Sequence, residues 1–252
     1  MKEATFNKWF SVFILGGMTV ALILATILKF ESAQTGQWML MVSAIGSLMG
    51  VLATVCSANG KIITFLFGFF DVLLYGIMCL VSWSQGHSGL GNALLHFIYF
   101  VPMQFVGFYQ WRRRGTEGSG QVRARRLDGR QWALISIGFL VGTTVAYLIL
   151  VHFDRSAADG FIRWAVVLDV LPLACNIIGQ LLMSIAYMEQ WIFWIAVNVT
   201  SIFMWSLTLS TSSDSSYAVI YIIKYSFYLL NSLNGLRIWL RLSRNAGSCK
   251  SE

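Results

Sequence analysis

The chain has 252 residues, of which 57% are hydrophobic and 15% aromatic, while only 12% are charged, with a formal net charge of +7. A soluble domain carries about a quarter charged residues, and a soluble chain of this length needs far more polar surface to cover its core. With only two prolines a proline-rich or disordered chain is also excluded, and the composition defines an all-α, polytopic membrane protein.

A helix needs about 20 mostly apolar residues to cross the hydrocarbon core. Stretches of that size predict helices at roughly 10–28, 38–57, 62–83, 90–111, 132–152, 162–187, 190–210 and 216–241. Backbone polar groups cannot stay unpaired in lipid, so these runs are helical, and the alternation of a membrane barrel strand is absent. The count is eight, or seven if the first helix lies in the interface. That first helix lacks a small-residue cleavage site and is read as retained.

Orientation follows from where lysine and arginine sit. With both termini cytoplasmic, fourteen basic residues fall on the inner side and only Lys29, Arg155 and Arg163 on the outer side, with Lys224 left inside a span. The cluster at 112–130 is therefore a topology determinant rather than a nucleic-acid or lipid-headgroup site, and Gly115, Gly118 and Gly120 mark it as a flexible connection. Cys56, Cys79, Cys175 and Cys249 form no CxxC pair and read as small apolar residues.

The two halves echo each other. Asp71 stands 36 residues before Gly107 of Gly107-x-x-x-Trp111, and Asn198 stands 37 before Gly235 of Gly235-x-x-x-Trp239. Gln104 and Asn231 precede those glycines. The fifth helix has no partner, so the pattern is three helices, a linker and three more, in parallel repeats that place a substrate site near the midplane. The expected units are an extra helix (1–30), a first bundle (31–114), a basic loop with the linker helix (115–155), a second bundle (156–242) and a tail (243–252).

Charged side chains inside a membrane are expensive and need a reason. Asp71, Asp169 and Lys224 lie well inside spans. Trp191, Trp194, Asn198, Ser201 and Trp205 share one helical face, as do Asp169, Asn176 and Gln180, where Pro172 is expected to loosen the helix. Lys224, Tyr228 and Asn231 form a third stripe. Tryptophan and tyrosine faces stack on flat rings and attract cations, and amides both donate to and accept from sugar hydroxyls. The stripes thus predict a cavity for a neutral or cationic planar ring attached to a polyol. Glu189 and His96 are weaker candidates. No nucleophile, phosphate-binding or metal motif is present, so neither an enzyme nor a cofactor or metal centre is expected, and a membrane-embedded transferase has no motif behind it.

The run Glu189-x-Trp191-x-x-Trp194-x-x-x-Asn198, together with Asn234-Gly235-x-Arg237-x-Trp239, resembles the signature of the PnuC nicotinamide riboside transporters. The segments Phe67–Gly76 and Gly107–Trp111 extend the likeness, which covers 38–241. The resemblance implies a SWEET-like fold of two three-helix bundles, a homotrimer in the bacterial inner membrane, and facilitated diffusion of nicotinamide riboside, trapped by a cytoplasmic nicotinamide riboside kinase. Asp71 departs from the asparagine frequent in that family. The expected site places the ring against Trp194 or Tyr228 and the ribose on Asn198, Asn231, Gln104 and Gln180, with Trp191, Asn176, Asp71, Lys224 and Asn234 nearby. The alternative is a retinal-type photoreceptor with a Schiff base on Lys224, against which Ile220 stands where a carboxylate is expected one turn earlier.

Overall fold

The computed structural model describes residues 3–30, 37–85, 90–117, 120–153, 164–211 and 216–248. Lysine and arginine positions 2, 155, 163 and 250, together with Gly118, Ser119 and Cys249, lie outside these residues, as does the side chain of Asp169. Among the described residues there are eight long helices: α1 (Glu3–Phe30), α2 (Gln37–Ala58), α3 (Thr64–Ser84), α4 (Leu90–Arg114), α5 (Gly129–Phe153), α6 (Trp164–Ser184), α7 (Gln190–Thr211) and α8 (Ser216–Ser248). Seven of them are long and apolar enough to cross a membrane. The exception is α8 rather than α1, because Lys224, Asn231, Asn234 and several tyrosines lower the hydropathy of its apolar stretch.

Six helices close into a ring. Helix α2 packs on α3, α3 on α4, α4 on α6, α6 on α7, α7 on α8, and α8 back on α2. Helix α1 lies outside the ring against α2 and α8, fixed at its start by ion pairs from Arg237 and Arg241 to Glu3. Helix α5 touches the ring through α6, and no residue of its span is buried. In water such an apolar surface is a liability, whereas in lipid it is the expected outer face.

Two prolines sit in the ring, with different local results. Helix α4 opens into a π-turn over His96–Phe100, where the Val101 N–H reaches back to His96 O. Pro102 follows it and has no N–H to give the preceding turn. Helix α6, expected to loosen at Pro172, runs on through it, and the Asn176 side chain donates to Pro172 O at 2.9 Å.

The basic segment after α4 is not the flexible connection its glycines suggested. A short hairpin pairs β1 (Thr116–Glu117) with β2 (Gln121–Val122), and the chain then straps across the end of the ring. Val122 N–H donates to Gly60 O (3.0 Å), Arg125 N–H to Ala186 O (2.7 Å), and Met188 N–H to Arg125 O (3.0 Å). Gly60 and Ala186 hold the same left-handed turn position after α2 and α6, at φ 65° and 61°. Val122 and Ala124 are buried among Phe65, Trp111, Trp191 and Trp239. The backbone bonds and the apolar contact, invisible in a charge count, hold this segment in place.

Candidate functional site

The ring encloses a cavity of about 450 Å³ to which all six of its helices contribute side chains. It runs from exposed Asn92 and Tyr75 down to buried Gln104 and Trp191. Below Trp191 the way is closed by an aromatic plug. Trp111 lies 5.4 Å from Trp239, Trp239 lies 6.4 Å from Trp191, and Phe65 meets Trp111 edge-on at 4.8 Å. The plug is tied across the ring by two matched bonds: Trp111 Nε1 donates to Met183 O on α6 (2.8 Å), and Trp239 Nε1 donates to Ser57 O on α2 (2.9 Å). The glycines of the two Gly-x-x-x-Trp motifs make room for it. A Cβ on Gly107 would stand 2.1 Å from the Phe65 ring, and one on Gly235 2.6 Å from the Trp191 ring.

Eight of the eleven residues expected from the sequence line the cavity: Asp71, Gln104, Asn176, Gln180, Trp191, Trp194, Asn198 and Tyr228. Asn198 Nδ2 donates to Ser232 Oγ at 3.0 Å, which orients its amide. Gln180 Nε2 donates to Ser184 Oγ at 3.2 Å, and Ser184 in turn donates to Met103 O of α4 at 3.1 Å. Gln104 Nε2 donates to Phe100 O at 3.3 Å while its Oε1 is buried and unpaired, as is Trp191 Nε1. Trp194 packs its indole on Gly179, 3.2 Å from where a Cβ would be.

Three expected residues are not in the lining. Asn231 Nδ2 donates to Thr54 O at 3.2 Å and joins α8 to α2. Asn234 Oδ1 accepts from Arg237 at 2.8 Å, near the end of the bundle. Lys224 has its ammonium among Tyr221, Tyr225 and Tyr228, 5.6 to 5.9 Å from the ring centres, and interacts electrostatically with Asp71. It stands outside the lining, and a retinal Schiff base there finds no support.

The lining also holds Ser57, Thr64, Tyr75, Asn92 and Tyr225, which the sequence stripes do not single out, and His96, a weaker candidate from the sequence. His96 stands in the wall with Nδ1 donating to Asn92 O (2.8 Å) and its ring 4.6 Å from Tyr75. A usable signal existed for Tyr225, which sits four after Tyr221 and three before Tyr228 and so shares their face. Glu189 is off the cavity; its Oε1 accepts from Leu127 N–H at 3.0 Å and anchors the strap.

A central cavity walled by six helices, with aromatic faces and oriented amides, fits a small-molecule transport protein. Residues 40–241 match the family described as Nicotinamide mononucleotide transporter, and the chain belongs to that family. It is 32% identical over 210 residues to a nicotinamide riboside transporter PnuC of Neisseria mucosa, covering 81% of this chain and 74% of that one. It is also 32% identical over 207 residues to the PnuC of Haemophilus influenzae, covering 81% and 80%. A crystal structure of the vitamin B3 transporter PnuC superposes with a TM-score of 0.68 at 28% identity, covering 96% of this chain and 93% of that one.

Proposed function

We propose that this protein takes up nicotinamide riboside by facilitated diffusion, with the substrate seated in the ring cavity. The observation that carries the choice is the charge of the wall. Among the described residues the lining holds Asp71 and no lysine or arginine. The riboside is a pyridinium cation, which suits the aromatic faces of the wall. A mononucleotide adds a phosphate, and burying that anion without a cation is costly. The names of the relatives support the same choice. The ring stacks on Trp194, and the ribose bonds to Asn198, Gln180 and Asn176.

The rest of the reading follows the sequence. The two parallel units are 31–114 and 156–242, with 1–30 as the extra helix, 115–155 as strap and linker, and 243–252 as tail. The basic distribution puts both termini and the strap in the cytoplasm of a bacterial inner membrane, so the plugged end faces inward. Phosphorylation by a cytoplasmic kinase retains the product. The protein is a homotrimer, and α5 is the face best suited to the contact: Gly138 and Gly142, four apart, have no neighbour within 4 Å and would admit a close helix.

Calorimetry on purified protein tests the reading. The riboside should bind and the mononucleotide should bind at least about tenfold more weakly, a difference of about 1.4 kcal/mol. Asn198→Leu should weaken riboside binding about 5- to 150-fold by leaving a buried hydroxyl unpaired. Equal affinity for both ligands sinks the charge argument, and unchanged affinity in folded Asn198→Leu protein makes Asn198 a packing residue. For orientation, an impermeant thiol reagent added to intact cells should leave Ser119→Cys unlabelled.

A further inference from the structure

A molecule in the ring cavity can leave at the plugged end only if α2–α4 and α6–α8 part there. The indole bonds of Trp111 and Trp239 cross that boundary, and so does the strap. Its first half is held by α2–α4 and the turn after α2. Val122 N–H donates to Gly60 O (3.0 Å), Gln121 Nε2 to Asn59 O (3.1 Å), and Arg114 Nε to Arg123 O (2.9 Å). Its second half is held by the turn between α6 and α7. Arg125 N–H donates to Ala186 O (2.7 Å), Met188 N–H to Arg125 O (3.0 Å) and Leu127 N–H to Glu189 Oε1 (3.0 Å), while the Arg125 guanidinium lies 4.4 Å over the Tyr187 ring. Between the halves, Ala124 is 3% exposed in a cluster that takes Phe65 and Trp111 from one set and Met183 and Trp239 from the other. The two sets cannot separate while both grips hold.

The grips differ in what release would leave behind. Glu189 is 3% exposed and its Oε2 has no hydrogen bond. Letting go there strips the Leu127 N–H from a buried carboxyl, which is a costly loss. Letting go at the turn after α2 uncovers only the neutral carbonyls of Asn59 and Gly60, whose bonds water replaces at small net cost. The chain beside that grip also has room to move. Gly115 and Gly120 bound the hairpin at φ 76° and 74°, and a Cβ on Gly115 would meet nothing within 4 Å, one on Gly120 only the end of Lys61 at 3.8 Å.

We propose that the strap is the latch of the plugged end: it stays on the α6–α7 turn and releases the turn after α2 each time the plug opens, so that its release is a required step of transport. The inference rests on the transport reading and is independent of how the substrate is seated.

A reversible staple tests it. A Cβ on Gly60 would lie 3.5 Å from the Gln121 Cβ, within disulfide range. Gly60→Cys with Gln121→Cys, in a full-length chain whose four native cysteines are replaced by alanine, closes the grip expected to open. Arg125 and Tyr187 pair across the other grip with their side chains on one side, so Arg125→Cys with Tyr187→Cys closes the grip expected to hold. Each pair is compared oxidised and reduced for binding of nicotinamide riboside and for its uptake into liposomes. The first pair, when oxidised, should still bind the riboside but lose uptake, and dithiothreitol should restore it. The second should transport equally well in both states. Undiminished uptake by the oxidised first pair overturns the latch, and loss of uptake in both oxidised pairs overturns the choice of side. Neither binding nor uptake by the unmodified protein overturns the transport reading itself. Hydrogen exchange on the unmodified protein needs no substitution: the Val122 amide should exchange faster than those of Arg125 and Met188, and equal or slower exchange at Val122 contradicts the proposal.

Discussion

The two helix sets of the ring, Gln37–Arg114 and Trp164–Ser248, agree where the ring is shut and differ where it is open. At the plugged end each unit has the same parts: Phe65 or Trp191 pressed on a glycine, Trp111 or Trp239 bonded across to the other unit, Gly60 or Ala186 offering a carbonyl to the strap. Higher up, the counterparts diverge, with Gly68 against Trp194, Asp71 against Val197, and Gln104 against Ser232. Closure needs a packing solution, and a packing solution can be used twice. A small asymmetric molecule needs different groups on its two sides, and duplicated walls cannot supply them. The likeness of the repeats thus marks the closure, and their unlikeness marks the site.

The largest expected effect comes from breaking the shared closure. Trp111→Ala and Trp239→Ala each remove a fully buried indole, and each should cost about 3–5 kcal/mol of stability. Unfolding curves in detergent check this; a large loss in one variant and almost none in the other would show that the matched bonds are not equivalent.

Next are the glycines. Gly107→Ala and Gly235→Ala drive a methyl into a packed ring and should cost about 1–3 kcal/mol. Gly68→Ala meets only the end of the Gln104 side chain, which can shift, so it should leave stability nearly unchanged and weaken ligand binding instead. Paired thermal-shift and binding measurements separate the two behaviours. Stability losses of equal size at all three positions would erase the distinction between closure and site.

The smallest effect sharpens the comparison at the strap. Ala186 holds a left-handed conformation that Gly60 adopts at no steric cost. Ala186→Gly should raise stability by up to about 1 kcal/mol, and Gly60→Ala should lower it by a similar amount. A shift in melting temperature of opposite sign in the two variants is the expected result, and a loss in both would refute the equivalence of the turns.

Much of this was legible in the sequence, and the reasons for the gaps are physical. Long uncharged runs dictate membrane helices whatever their neighbours, so six of the eight helices end within three residues of their expected bounds, while α1 starts seven residues earlier and α8 runs seven residues further. The Gly-x-x-x-Trp repeat was readable because close packing and an interhelical indole bond both leave residue-type traces. Which way an amide points was not readable. Asn231 and Asn234 have the same chemistry as Asn198, yet one bonds α2 and the other holds Arg237. Helical periodicity fixes a face, but only packing decides which neighbour that face meets. The strap was hidden for a related reason. Its glycines and arginines have the composition of a loose loop, and its order comes from backbone bonds to Gly60, Ala186 and Met188, which no side-chain pattern encodes.

The most direct test of the whole account is uptake of labelled nicotinamide riboside into liposomes containing only this protein, with and without ion gradients. The account predicts saturable entry that stops when inside and outside concentrations are equal, at a rate unaffected by the gradients and reduced in Asn198→Leu. No entry in protein that binds the riboside, or entry that requires a gradient, would contradict it.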